Sequence, residues 1–113
     1  SESGYFKLGP KTLIVPEQTN IYQNYPNPFN PTTTVIYDIG LMDGLSQNVS
    51  INIYNLLGQH IRTLVENKDQ IGQFKVQWDG YDQFGQQMSS GVYFIQLLTK
   101  SGIVKNKKMM LLK

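Results

Sequence analysis

Apolar and polar side chains alternate along much of the chain after residue 32. The clearest stretch is Val49–Tyr54, where Val49, Ile51 and Ile53 are separated by polar residues, the period-two pattern of a half-buried strand. Similar patterns predict five further strands: Thr33–Ile39, Ile61–Val65, Phe74–Trp78, Val92–Thr99 and Ile103–Leu112. Turn residues recur roughly every 8–12 positions, and no segment keeps a helical period, so the pattern predicts an all-β sandwich or barrel.

The same pattern predicts which segments are central and which are peripheral. Val92–Thr99 is apolar on both faces, which is typical of a central strand. Phe74, Val76 and Trp78 alternate with polar residues and are expected to point into the core. Glu66–Ile71 is polar and is interpreted as a loop.

All five prolines lie in the first 31 residues. Proline removes a backbone donor and fixes φ, so this region is expected to be extended or turn-like rather than central sheet. We interpret residues 1–18 as a linker or the end of an upstream module, with a short strand near Thr12–Val15, and residues 19–113 as the compact domain.

Composition supports this interpretation and narrows the chemistry. The 113 residues include no alanine and 13 aromatic side chains, a balance that favours strands, and the length suits one domain. The absence of cysteine excludes disulfides, thiolate metal sites and cysteine nucleophiles within these residues. No apolar run is long enough to span a bilayer and no signal peptide opens the chain, so an exported protein would carry its signal upstream.

Charge is distributed unevenly. Up to Thr99 there are five basic and eight acidic side chains, a balance of −3, whereas from Lys100 onward there are five lysines and no acid. Such a basic segment is either a solvated edge strand, whose lysines deter edge-to-edge pairing, or an interaction tail. It lacks interleaved aromatics, which argues against nucleic-acid binding.

The chemistry-bearing residues do not assemble a recognisable catalytic or metal site. His60 is the only histidine and is expected to be an exposed turn residue. Asp79 and Asp82 have a faintly calcium-loop-like spacing, but two carboxylates are too few, so Asx turns are the preferred interpretation. We therefore predict no enzyme activity, no cofactor and no metal.

Two sets of aromatic residues could instead form a sugar-binding platform: Tyr22, Tyr25 and Phe29, and separately Tyr81 and Phe84. More often such rings pin a loop against a sheet.

Five blocks in order resemble a known family over residues 21–113. They are Tyr22–Thr33, Ile53–Gln59, Gly72 with Trp78–Gly80, Ser90–Phe94 and Lys108–Lys113. Together they resemble the type A C-terminal sorting domain of the type IX secretion system. Two of the blocks are also similar to the immunoglobulin-like domain of flagellar hook-capping proteins. Both resemblances imply an immunoglobulin-like antiparallel β-sandwich of about seven strands.

The sorting-domain resemblance implies an export signal rather than a catalyst. The implied partners are a cargo domain in the same chain, the type IX translocon and a sortase-like cysteine peptidase that cuts in or near residues 1–21. The implied location is the periplasm in transit, then the cell surface or the medium, without membrane insertion.

The resemblance also assigns roles to two sets of residues. The sorting signal is expected at Lys105, Lys107, Lys108, Met109, Met110, Leu111, Leu112 and Lys113. The structural motif is expected at Pro26, Asn27, Pro28, Phe29, Asn30, Pro31, Gly58, Trp78, Asp79, Gly80, Asp82, Gly85, Gly91 and Tyr93. The lysines of the last strand are expected to form a charged edge that a partner pairs with by strand addition.

Two alternative functions have different requirements. A carbohydrate-binding or adhesive module needs a row of exposed aromatics on one sheet face, and a structural spacer needs no recognised ending.

Overall fold

The computed structural model describes residues 5–8, 13–16, 18–40 and 46–113, and this part of the chain is built from β-strands without a helix. In chain order the nine strands are β1 Tyr5–Leu8, β2 Leu13–Pro16, β3 Asn20–Ile21, β4 Thr33–Ile39, β5 Gln47–Asn55, β6 His60–Gln70, β7 Gly72–Trp78, β8 Gly91–Thr99 and β9 Val104–Leu111.

Strands β3 to β9 form two antiparallel sheets. One sheet has the order β3-β4-β7, and the other has the order β6-β5-β8-β9, while β1 and β2 pair only with each other. These seven strands confirm the predicted all-β sandwich, and β8 is an inner strand as its two apolar faces predicted. Its pairing with β9 matches Gly91 with Leu111 and Leu98 with Val104.

The core lies between the two sheets and is filled by the inward positions of each strand. Val49, Ile51 and Ile53 of β5 are all fully buried, as their alternation predicted. Trp78 is 1% exposed, and Phe74 and Val76 pack against the core from the same face of β7. Fourteen buried apolar side chains thus form one continuous cluster.

Strand β6 is longer than predicted. The polar stretch interpreted as a loop, Glu66–Ile71, is strand up to Gln70 and pairs with β5. The register shifts at a bulge at Asn67, which has a positive φ of 49°, and pairing with β5 continues on both sides of it. The Ser50 hydroxyl accepts the Asn67 amide proton at 3.1 Å. Because this edge faces solvent, it needs no apolar alternation, and the pattern therefore misses it.

The region before residue 19 contains the β1–β2 hairpin, and β2 lies one residue beyond the short strand predicted at Thr12–Val15. Residues 1–4, 9–12 and 17 lie outside the described residues. The division into a linker of residues 1–18 and a domain of residues 19–113 stays a prediction.

Replacing Trp78 with alanine is expected to lower the free energy of unfolding by about 3–5 kcal/mol, because it leaves a large cavity in the core. Phe84, which is 89% exposed, supplies the matched control: Phe84→Ala should change stability by less than about 0.5 kcal/mol. Urea unfolding of the three proteins measures both values. A similar loss in both variants would contradict the placement of Trp78.

Tyr37 predicts how stability changes in alkali. Burial raises the pKa of this phenol, whose hydroxyl donates to Gln70 Oε1 at 3.0 Å. The unfolded chain ionises Tyr37 near pH 10 whereas the folded chain holds it neutral, so stability present below about pH 10 is lost as the pH rises further.

Urea unfolding at a series of pH values should therefore show a shallower alkaline loss in Tyr37→Phe than in wild type. Tyr25→Phe, at a ring that is 80% exposed, is the control and should follow wild type. Equal slopes in all three proteins would contradict the expectation.

Candidate functional site

The predicted sorting signal lies on β9, the outer strand of the four-stranded sheet, except for Leu112 and Lys113, which follow that strand. Its side chains differ in burial: Met109 and Leu111 are at most 2% exposed and belong to the core. The exposed or half-buried members are Lys105, Lys107, Lys108, Met110, Leu112 and Lys113. Of the eight predicted signal residues, a partner of the folded domain can therefore contact the side chains of these six.

Residues 23–31, here named the proline loop, lie along the outer edge of β9. The amide of Phe29 donates to the Met110 carbonyl at 2.9 Å, and the amide of Leu112 donates to the Phe29 carbonyl at 2.9 Å. The Asn27 Oδ1 atom accepts the Met110 amide proton at 3.0 Å. Further along the edge, the Gln23 side-chain amide donates to the Lys108 carbonyl at 2.9 Å.

These contacts correct the expected charged edge. The Lys108 carbonyl, both backbone groups of Met110 and the Leu112 amide are bonded to the proline loop, and this end of the strand lies between that loop and β8. Among the described residues, the outward backbone groups in the first half of β9, at Val104 and Asn106, have no hydrogen-bond partner. The sequence could not reveal this, because the pairing uses backbone groups and side-chain amides that leave no periodic signal.

The Phe29 ring anchors the proline loop. It is 1% exposed and lies 5.6 Å from the Trp78 ring, which in turn lies 5.2 Å from Tyr93 in an edge-to-face contact. The Trp78 indole N–H donates to the Tyr81 carbonyl at 2.9 Å, so the buried polar atom is satisfied. Phe29 thus confirms the interpretation that an aromatic side chain here pins a loop.

Gly80 makes room for this packing. Its φ is +82°, and a Cβ atom there would lie 3.2 Å from the Pro31 carbonyl oxygen and 3.8 Å from the Leu111 side chain. Both the conformation and the space therefore favour glycine at the point where the loop, β9 and the turn after β7 meet.

Except for Gly72, which pairs with Ile39 at the opposite end of β7, the sequence blocks meet at one end of the sandwich, here named the motif end. Register places Gly91 beside Leu111, and it places Asn55 beside Tyr93. Thr33, at the close of the proline loop, is paired with Trp78. The remaining motif positions lie in the loop or in turns around this end: Pro26, Pro28, Asn30, Gly58, Asp79, Asp82 and Gly85.

Asp79 and Asp82 act as turn caps, which confirms the Asx-turn interpretation. Asp79 Oδ1 accepts the Tyr81 amide proton at 3.0 Å and pairs with Arg62 at 2.8 Å. Asp82 Oδ1 accepts the amide protons of Phe84 at 2.9 Å and Gln86 at 2.8 Å. No group of three or more His, Asp or Glu side chains able to hold a metal occurs in residues 18–40 and 46–113.

His60 is exposed, as predicted, although it is the first residue of β6 rather than part of the turn. Its ring contacts Tyr54 edge-on at 5.7 Å, and its Nε2 atom lies 2.9 Å from the Thr63 hydroxyl.

The first aromatic set does not assemble into a platform. Phe29 is buried, Tyr25 is 80% exposed, and the Tyr22 hydroxyl is hydrogen-bonded to the buried carboxylate of Asp38. In the second set Tyr81 and Phe84 are both exposed.

Residues 32–102 match the family model of the FlgD Ig-like domain. The chain belongs to the FlgD Ig-like domain family. This confirms the immunoglobulin-like fold and the relation to flagellar hook-capping proteins, and the family is structural and non-catalytic. No curated protein matches the chain. In the described part of the chain, no helix is long and apolar enough to cross a membrane.

The match to the FlgD Ig-like model leaves out both partners of the contact described above. The proline loop precedes residue 32 and β9 follows residue 102.

Replacing Asn27 with alanine is expected to loosen this contact locally. The change removes the acceptor of the Met110 amide, a bond worth about 1 kcal/mol, so hydrogen exchange at that amide should accelerate about fivefold. Asn30→Ala, in the same loop but without a hydrogen bond to another described residue, should leave the exchange rate unchanged. Equal exchange rates at the Met110 amide in the two variants would contradict a stabilising hydrogen bond from that amide to Asn27.

Proposed function

We propose that this domain is a non-catalytic export signal, read in its folded state, that directs a larger cargo protein through the type IX outer-membrane translocon. The observation that carries the proposal is the docking of the proline loop on β9. The two ends of the sorting-domain resemblance, 83 residues apart at Asn27 and Met110, are joined by a direct hydrogen bond. Such a contact supports a signal that exists only when the domain is folded.

The charges of the β9 lysines support this strand as the part of the domain that the translocon recognises. Lys105 and Lys108 are exposed, Lys107 is half-buried, and among the described residues none of them is in an ion pair. Within this part of the chain the one salt bridge joins Arg62 to Asp79. The lysine charges of β9 are therefore available to an acidic partner rather than consumed by the fold.

The anchoring of β9 supports recognition of a rigid element. Met109 and Leu111 are fixed in the core, and the outer edge near Met110 is held by Asn27 and Phe29. A partner that binds β9 therefore does not have to order it, and avoids that entropic cost.

In this proposal the remaining partners are a cargo domain in the same chain and a sortase-like cysteine peptidase that cuts in or near residues 1–21. The cargo passes through the periplasm and ends at the cell surface or in the medium. Membership of a structural, non-catalytic family supports the absence of enzyme activity in this domain.

The proposal is tested by export of a reporter protein fused in front of residues 1–113, in a host that has the type IX machinery. Lys107→Ala/Lys108→Ala should leave the reporter in the periplasm, because it removes two charges of the recognised strand. Since neither side chain is part of the buried core, stability should change by only about 0.5 kcal/mol.

Lys68→Ala/Lys75→Ala is the matched control, because it removes two exposed lysines from β6 and β7 and should be exported like wild type. Thermal melts of all proteins separate misfolding from loss of recognition. Deletion of Lys108–Lys113 is unsuitable, since it would remove core residues Met109 and Leu111. Normal export of the Lys107→Ala/Lys108→Ala variant would overturn the proposal.

A further inference from the structure

The first half of β9 has an open backbone edge. The outward groups of Met110 and the Lys108 carbonyl bond to the proline loop, so even-numbered residues of β9 direct their backbone away from β8. The period of two places the N–H and C=O groups of Val104 and Asn106 on the same side. Among the described residues no hydrogen bond is formed to these groups: β3 comes within 8 Å of β9 between Cα atoms but pairs with β4. We name the edge at Val104–Lys107 the open edge.

The side chains beside the open edge carry positive charge on one face. Lys105 and Lys107 are odd-numbered and therefore lie on the same face of β9 as Met109, but Lys105 is exposed and Lys107 is half-buried. Val104, which is 47% exposed, and Asn106 lie on the other face. Unused backbone groups thus lie next to two lysines spaced two residues apart.

We propose that the open edge binds a short, extended, acidic segment of a partner protein, which adds to the four-stranded sheet as a further strand. Acidic side chains two residues apart in that segment face Lys105 and Lys107, and an uncharged residue between them lies beside Asn106. This inference rests on the proposed function, in which the segment belongs to the export machinery.

Charge selects this occupant over a second copy of the chain. Two copies that met through their open edges would bring like charges together, because each edge carries the same lysines. The proline loop limits the length of the added strand, since it takes over the edge from the Lys108 carbonyl onward. The site therefore fits a few alternating residues rather than a long strand.

The test measures fluorescence anisotropy of a labelled, blocked peptide of alternating glutamate and valine, titrated with the chain of residues 1–113. Asn106→Pro removes an outward N–H and leaves the ladder to β8 intact, whereas Asn106→Ala keeps that N–H and is the matched control. The peptide should bind wild type and Asn106→Ala alike. It should bind Asn106→Pro at least about tenfold more weakly, because the hydrogen bond donated by the Asn106 N–H is lost and the proline ring hinders the approach of the peptide backbone.

Two further measurements address charge. Binding should weaken as salt is added, and a peptide with lysine in place of glutamate should not bind. Lys105→Glu/Lys107→Glu should reverse the preference between the two peptides, and this variant tests the inference even if Asn106→Pro melts early. Equal binding of the acidic peptide to Asn106→Pro and Asn106→Ala with both folded, or an unchanged preference in the charge-reversed variant, would overturn it.

The export assay separates this inference from the proposed function. If Asn106→Pro is folded and exported like wild type while Lys107→Ala/Lys108→Ala is not, the export signal stands and strand addition is wrong. If Asn106→Pro is retained and Asn106→Ala is exported, both are supported. If Asn106→Pro and Lys107→Ala/Lys108→Ala are both exported like wild type, both are overturned.

Discussion

The packing of Phe29 against Trp78, beneath a loop that bonds to the edge of β9, is the contact on which the rest of the motif end depends. The ring is 1% exposed although its neighbours in the loop, the three prolines with Asn27 and Asn30, are exposed. Burying one aromatic side chain from an otherwise polar loop holds that loop on the sandwich and fixes its backbone groups against Met110 and Leu112. The turn at Gly80 closes over the same point.

Both outer strands of the four-stranded sheet are covered for part of their length. The proline loop covers part of β9, and Gln83 covers part of β6. The backbone N–H of Gln83 donates to the Ile61 carbonyl at 2.9 Å, and its side-chain Oε1 accepts the Thr63 amide proton at 3.0 Å. Exposed edges invite uncontrolled pairing, so partial covering together with charge leaves a short accessible stretch on β9.

Much of the fold could be predicted from the sequence because a half-buried strand shows its burial in its residue pattern. Strand β4 has the predicted bounds Thr33–Ile39, and the inward residues of β5 are those of its apolar alternation. Strand β6 was predicted too short because its far half is exposed on an edge, where burial imposes no pattern.

The candidate site was harder to predict because its decisive contacts join distant segments through backbone atoms. The aromatic set Tyr22, Tyr25 and Phe29 indicated a loop pinned against a sheet, but no spacing rule names Met110 and Leu112 as partners of that loop. In the second half of β9, alternation separates the buried Met109 and Leu111 from the exposed Lys108 and Met110, but it does not explain why Lys105 and Lys107, on the same face as Met109, are less buried. The open edge appears only when the reach of the proline loop along β9 is known.

The distance along the chain between the proline loop and β9 also affects folding. Contacts between residues more than 80 positions apart close a long loop, and folds dominated by such contacts form slowly. Until β9 is in place the core lacks Met109 and Leu111, and the Phe29 backbone has no partner there. The basic surface therefore becomes rigid at the same step that completes the sandwich, so a receptor that recognises only the ordered strand would pass over chains that are interrupted or still folding.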